Sequence, residues 1–438
     1  MQIYDYEAAF GASDKTGRAM RNAIKDWFSM YYESRATRDS DPCQRIAYTV
    51  VSKLSKTVFG EYRAQAADPV VQQWLAALEE KKQAAVQMAL VGGECYLKPC
   101  PAGTGFSFTL IPRDQVLVFA RDQRGEPTDI GTVERWVEGK YFYTLLERRT
   151  LDGQGLLTIE NKLMRSLNEQ SLGTQVSLKT LSRYAGLPEK FRFPEPLGGI
   201  GLVRMKTPIL NCVDGSADGV AVFAPAVGLI RSIDANEAQL SGEFQRGQSR
   251  IIVSRDLLDE NKGLSESVFV GLDEDPDRVG ITVFAPGLRE QSYLARKQEY
   301  LRNVESVIGL KRGMLSDANM DERTATEIAA SAADYNLTVM DFQQMWQRAL
   351  MSAMALCTAL ARLYGLALPK DNAVAVDWGN GVLYDEERIW EGYLQMVQAG
   401  LLKPEIALGW RFGMATDTED ALAAIREKYM PENPGLSS

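Results

Sequence analysis

The chain has 438 residues, 58 acidic against 49 basic side chains, a formal net charge of −9 and no histidine. The missing imidazole excludes a histidine general base, a Ser-His-Asp relay and histidine-ligated zinc. The acidic balance argues against a surface that grips nucleic acid broadly through its phosphates, though not against one that lets a polyanion pass.

Near the N-terminus, Gly11 to Thr16 places Lys15-Thr16 before a helix but lacks the glycine and the preceding strand of a phosphate loop. It reads as a helix cap supplied by Ser13 or Asp14. Helical patterns follow at Arg18–Tyr32, with Trp27 and Phe28, and at Gln44–Phe59, where Ile46, Val50, Leu54 and Val58 recur. Asp68-Pro69 opens a further helix, predicted to run toward Leu90 and close at Gly92-Gly93. From Glu94 to about Ser166 the period falls to two. Phe106–Ile111, Val116–Ala120, Tyr141–Glu147 and Leu156–Glu160, with turns at Gly103, Gly125, Gly139 and Gly153, predict one small, mostly antiparallel sheet. Gly186 to Pro208 reads as loop with one or two short strands. Its Gly198-Gly199-Ile200-Gly201 lacks the third glycine and the following helix of a dinucleotide fingerprint.

Ala226–Gly247 is predicted helical, with Leu229, Ile233, Leu240 and Phe244 on one face. An insert follows, with strands at Arg250–Val253, Val268–Leu272 and Ile281–Phe284, carried between two helices that can run side by side. Asp273, Asp275 and Asp277 have the first spacings of a calcium loop. Arg278 and Phe284 stand where its glycine and bidentate glutamate belong, so the segment reads as a solvated acidic turn.

Leu288 to Gly365 reads as two long helices joined by a short loop. The first carries Leu294, Leu301, Val304 and Ile308 on one face. The loop holds Gly309, Lys311, Arg312, Gly313 and Asp317, and from Arg296 to Arg312 there are five basic residues against two acidic. Thr324 and Glu327 are spaced as a capping box for the second helix. Ile328, Tyr335, Val339, Phe342, Trp346, Leu350, Ala353, Leu356, Leu360 and Leu363 then form one apolar stripe. Gly365 ends it. Such a helix is about 60 Å long, unusual in an enzyme domain and ordinary for a spoke in a ring or bundle.

Beyond Pro369, Val374–Asp377 is a candidate strand, Asp385–Ala399 and Thr418–Tyr429 are helices, and Gly400–Pro404 is a turn. From Leu366 to Ser438 there are twelve acidic residues against six basic. Asp377 and Asp385 are a conceivable carboxylate pair, but Asp385 sits at a helix cap and no nucleophile is near either. The five cysteines, Cys43, Cys95, Cys100, Cys212 and Cys357, read as reduced thiols by their odd number and spacing. Asp5 and Glu7 interrupt any signal peptide, and the apolar stretch Ala349–Ala361 is too short to span a bilayer, so no membrane partner is expected.

Three motifs in this order make the chain resemble the portal proteins of tailed bacteriophages, in the long-tailed branch, over nearly its whole length. They are Ile308-Gly309-Leu310 with a loop and Thr324-Ala325-Thr326-Glu327-Ile328; Asp385 with Val397–Leu402 and the acidic helix at Thr418–Glu427; and Leu90–Glu94 leading into the sheet. The resemblance implies an α+β portal fold and a homo-oligomeric ring, usually of twelve subunits, at one capsid vertex. Its parts fall on residues 1–225 and 324–365 as wing, 226–248 and 288–309 as stem helices, 249–287 as a mixed α/β clip, 310–323 as tunnel loop and 366–438 as helical crown. It nominates Lys311, Arg312 and Arg323 as the channel-facing contact to double-stranded DNA. Asp273, Glu274 and Asp275 become a clip surface for the terminase large subunit and for a head-completion or adaptor protein. Major capsid and scaffolding proteins are the other partners implied, and the location is the virion, after assembly in the host cytoplasm. No catalytic residue, cofactor or metal is expected. The apolar stripe of the long helix is expected to pack against neighbouring subunits. Two other readings stand beside this one: a carboxylate enzyme that needs no histidine, and a helical scaffold or adaptor of the capsid that forms no pore.

Overall fold

A computed structural model describes residues 3–32, 42–246, 250–254, 269–272, 282–284, 287–317, 325–379, 386–412, 414, 416 and 418–430. Its internal contacts divide the chain into Met1–Asp377 and Trp378–Ser438, each taken by itself below.

The first unit begins with α1 (Ile3–Phe10), an element without a clear sequence signal. Its Phe10 enters a cluster with Leu117, Phe119, Val133 and Leu146. Helix α2 (Arg18–Tyr31) buries Met20, Ile24, Trp27 and Phe28, and its N-cap is Gly17, without a side-chain bond. Asp14 is therefore not the expected cap. Its carboxylate closes an Asx turn on the Thr16 N–H (3.0 Å) and also accepts from the Val118 N–H (3.1 Å), tying the loop to a strand.

Helix α3 (Ile46–Val58) buries Ile46, Val50, Val51, Leu54 and Val58, and β1 (Arg63–Ala66) follows. Helix α4 (Pro69–Glu79) starts as predicted, with the Asp68 carboxylate accepting from Val70 and Val71 and Pro69 in the first turn. The single helix predicted to Leu90 is two. At Lys81 the N–H bonds the Leu78 carbonyl (2.9 Å), a three-residue step that tightens the coil, and α5 (Lys82–Gly92) restarts beyond it. Gly93, at φ +79°, ends α5, and a Cβ there would lie 2.3 Å from the Gly219 backbone, so the position requires glycine on two counts.

The strands β2 (Glu94–Ala102), β3 (Gly105–Pro112), β4 (Val116–Arg121), β5 (Pro127–Glu138), β6 (Tyr141–Leu151), β7 (Leu157–Ser166), β8 (Thr174–Val176), β9 (Lys190–Arg192) and β10 (Val203–Lys206) form two sheets where one was expected. The first has the order β10-β2-β3; the second has β4-β5-β6-β7-β8, with β9 also on β7. All of these pairings are antiparallel. A 3-10 turn at Arg113–Gln115 separates the sheets, and Arg113 within it is drawn inward by Glu94. Of the predicted turns, the fourth has its positive φ at Gly155 and not at Gly153.

Helix α6 (Val227–Arg246) buries Ile230, Ile233, Asn236 and Leu240; Phe244, expected on that face, is 44% exposed. Strand β11 (Arg250–Ser254) is the centre of a small mixed sheet, parallel to β12 (Phe269–Leu272) and antiparallel to β13 (Thr282–Phe284). These are the three strands predicted for the insert. Helix α7 (Glu290–Ile308) runs beside α6, joined by Asn236 to the Tyr293 carbonyl (3.0 Å), Lys297 to Glu237 (2.9 Å) and Arg289 to Glu243 (2.7 Å). Leu301, Val304 and Ile308 are buried as predicted, whereas Leu294 is half exposed.

Helix α8 (Ala325–Tyr364) is 40 residues long and ends at Gly365, φ +66°. Tyr335, Val339, Phe342, Trp346, Leu350, Ala353, Leu356 and Leu360 are buried along it. They pack against α3, α4, β2 and β10 of the same chain, which corrects the expectation that neighbouring subunits cover this stripe. Thr324 and the side chains of Glu327 and Ile328 lie outside the described residues. Strand β14 (Val374–Asp377) pairs antiparallel with β1, and Asp68 accepts from the Lys370 N–H (2.9 Å), so residues 366–377 attach to the first unit and not to the segment that follows.

In the second unit, α9 (Glu386–Gln398), α10 (Pro404–Phe412) and α11 (Glu419–Tyr429) pack in sequence. Thr418 caps α11 through the Ala421 N–H (3.3 Å). Tyr393 meets Trp410 edge-on (5.1 Å), Phe412 stacks on Tyr429 (4.2 Å), and Arg426 pairs with Glu405. Helix α10 has no forecast in the sequence, because the turn ending at Pro404 also supplies its first residue.

Candidate functional site

The loop after α7 folds back on its own helix. Gly309 ends α7 at φ +76°, and the chain turns again at Gly313, φ +87°. The fold-back is organised by Glu305, which is 1% exposed. Its Oε1 accepts from the N–H groups of Leu315 (2.5 Å) and Ser316 (2.9 Å), and its Oε2 from the Gly313 N–H (3.2 Å) and the Ser316 hydroxyl (2.8 Å). Four donors on one carboxylate replace the water that burial removes. The Leu310 N–H bonds the Glu305 carbonyl (2.8 Å), the Asp317 N–H bonds Gln298 Oε1 (2.8 Å), and Lys53 from α3 donates to the Met314 carbonyl. Lys311 and Arg312 stand exposed on the outside of this turn. Arg323, Asp273, Glu274 and Asp275 lie outside the described residues.

Glu305 has no place in the sequence reading, yet it leaves a signal. It occupies a position on the face made by Leu301, Val304 and Ile308, an acid where the helical period asks for an apolar side chain.

Two further charged clusters are buried in the first unit. Glu94, fully buried, pairs with Arg113 (2.7 Å) and Arg204 (2.6 Å); Arg113 also reaches Asp218 (3.1 Å) and the Thr16 hydroxyl (2.9 Å), and Arg204 reaches Glu126 (3.0 Å). Burial pushes the Asp218 carboxyl up, but Arg113 and Arg121 more than offset this and hold it below the ordinary carboxylate value. The second cluster joins Lys98, Glu147 and Arg149, and Arg149 continues to the carbonyls of Ile200 and Gly201 (both 3.0 Å). Burial raises Glu147, and Arg149 with Lys98 overrides it, bringing it down to about 2. Depressed carboxylates stabilise the fold fully above their unfolded value of about 4 and lose that contribution as the pH falls through the folded value. Acid titration followed by intrinsic tryptophan fluorescence is therefore expected to show stability falling between about pH 4.5 and 2, and Glu147→Gln should flatten the slope in that window.

Chemically, the carboxylates of Glu94, Glu147, Asp218 and Glu305 are each engaged by cations or backbone donors. A cleft of about 540 Å³ between α6 and α7 is lined by residues that include Asn236, Gln239, Arg289, Tyr293 and Arg296, with no carboxylate among them. Among the described residues no cluster of three or more candidate metal ligands occurs, and no helix is long and apolar enough to cross a membrane. All five cysteines are free thiols.

The family described as Phage portal protein, SPP1 Gp6-like, matches residues 113–430, well over half of the chain. The chain belongs to this portal family. The matched span of this portal-family chain runs from Arg113 through the second sheet, β10, α6, the insert, α7, the Glu305 turn and α8 to α11. Among solved structures it is similar to a chain in the neck of a native GTA particle computed with C12 symmetry, at 13% identity and TM-score 0.45, covering 93% of this chain and 98% of that one. It is likewise similar to a chain in the neck of an empty GTA particle computed with C6 symmetry, at 12% identity and TM-score 0.49, covering 94% and 99%. Likeness at that level adds nothing to the family assignment. No curated protein matches the chain.

Proposed function

We propose that this portal-family chain is one of twelve copies in a ring at a single capsid vertex, through which double-stranded DNA is packaged and ejected and to which the tail is joined. The observation that carries the reading is the family match, which spans both long helices and the basic turn between them. In this reading the protein is a conduit and docking platform without catalysis of its own, and the ATPase of a terminase large subunit drives the DNA. The helices α6 and α7 act as stem, the three-stranded insert as clip, the elements before α6 together with α8 as wing, and α9–α11 as crown.

A duplex conduit works best with a wall that is mildly repulsive, because many copies of a strong phosphate site would hold the polymer. The net charge of −9 suits such a wall. A single basic pair per subunit, Lys311 and Arg312, can touch passing phosphates without reading sequence. Arg323 would join that contact, and Asp273, Glu274 and Asp275 would meet the terminase and head-completion proteins; these four roles rest on the family resemblance alone. Major capsid and scaffolding proteins would surround the ring, and the protein would reside in the virion after assembly in the host cytoplasm.

Lys311→Glu combined with Arg312→Glu tests the DNA contact. Rings of normal size are expected, with the DNA content per assembled particle lowered several-fold. Particles filled as in wild type would remove this turn from the mechanism.

A further inference from the structure

A carboxylate that is 1% exposed persists as a charge only where donors replace water. For Glu305 all four donors come from eight to eleven residues downstream, on the very turn that carries Lys311 and Arg312. The bonds therefore close a short stretch of backbone onto α7. Gln298 holds the Asp317 N–H, and Lys53 holds the Met314 carbonyl from a separate helix. Leu310 and Ser316, on either side of the basic pair, are buried. The pair thus stands on a turn fixed at both ends.

We infer that Glu305 is a positioning residue for the DNA contact: its carboxylate sets the height and direction at which Lys311 and Arg312 face the duplex, and it touches no DNA itself. This rests on the reading of those two residues as the contact. A tethered cation on free chain would follow a phosphate as it moves and retain it. A cation on a fixed turn meets each phosphate only as it passes, and the entropy of ordering the turn is met by Glu305 before DNA arrives.

Glu305→Gln is the informative change, because it keeps shape and volume. The amide settles with its NH2 toward the Ser316 hydroxyl, which can accept from it, but the Gly313 N–H then meets a donor, and the bonds from the Leu315 and Ser316 N–H groups lose the charge of their acceptor. In full-length rings, the amides of Gly313, Leu315 and Ser316 are expected to exchange hydrogen at least about tenfold faster, with those of the α7 interior unchanged. DNA content per particle should fall by the same factor as in Lys311→Ala with Arg312→Ala. Adding Glu305→Gln to that pair should cause no further loss.

Unchanged amide exchange would overturn the inference, as would an additive loss in the triple variant, which would mean that Glu305 acts by another route. DNA loss in the alanine pair with none in Glu305→Gln would sink the positioning role and leave the contact standing. No loss in the alanine pair would sink both.

Discussion

Glu94→Ala is expected to destabilise the fold by about 3–5 kcal/mol, the cost of removing one partner from a buried ion pair. The Glu94 side chain is fully buried, and its two oxygens hold Arg113 and Arg204 at 2.7 and 2.6 Å. Removing it leaves two guanidiniums desolvated. Arg113 would retain Asp218 and the carbonyl of Val116, and Arg204 would retain Glu126 at the surface, so the greater part of the penalty falls on Arg113. Because Arg113 sits in the turn between the two sheets, the loss should appear as a lower denaturant midpoint with an unchanged slope. A change below about 1 kcal/mol, the size of an exposed pair, would mean that water reaches the cluster.

Trp346→Ala is expected to cost about 3–5 kcal/mol as well, by the different route of a cavity. Trp346 is fully buried on α8, edge-on to Phe59 at 5.5 Å, with its Nε1 donating to the Tyr62 hydroxyl at 3.1 Å. That hydroxyl in turn donates to Glu79 at 2.6 Å, and Lys82 lies over the Tyr62 ring at 4.7 Å. One indole therefore joins the long helix to α3, α4 and the start of α5. Trp346→Phe keeps most of the volume and gives up the hydrogen bond, and should cost about 1 kcal/mol. Thermal unfolding of the two variants separates the effects: near-equal losses would show that the hydrogen bond, not the packing, dominates.

Helices that bury one face announced themselves in the sequence. The periodic runs of α2, α3, α6, α7, α8, α9 and α11 are where the structure has them, as are the three strands of the insert and β14. Alternation failed where both faces are covered: Glu94 to Leu97 at the start of β2 are buried on both sides, so no period of two exists to be read. The break between α4 and α5 is invisible because neither Glu80 nor Lys81 is a helix breaker; tertiary packing and one three-residue hydrogen bond impose it. A stripe reveals that a face is covered, not by what. The stripe of α8 is satisfied within its own chain, and its other side exposes Leu337, Met340 and Met351.

The site was legible in part. Lys311 and Arg312 were nominated by resemblance, and the structure describes them as exposed on one turn. The residue that fixes that turn was missed, since a lone glutamate in an apolar stripe looks like noise until its donors are seen. The clusters around Glu94 and Glu147 escaped for a related reason: their partners are brought together from β2, β6, β10 and the loop at Asp218, far apart in sequence.

Electron microscopy of the purified full-length protein tests the ring most directly. Closed rings with a central hole wide enough for duplex DNA are the predicted result. Monomers that persist at high concentration, or assemblies without a central hole, would contradict it and return the chain to the reading of a scaffold or adaptor.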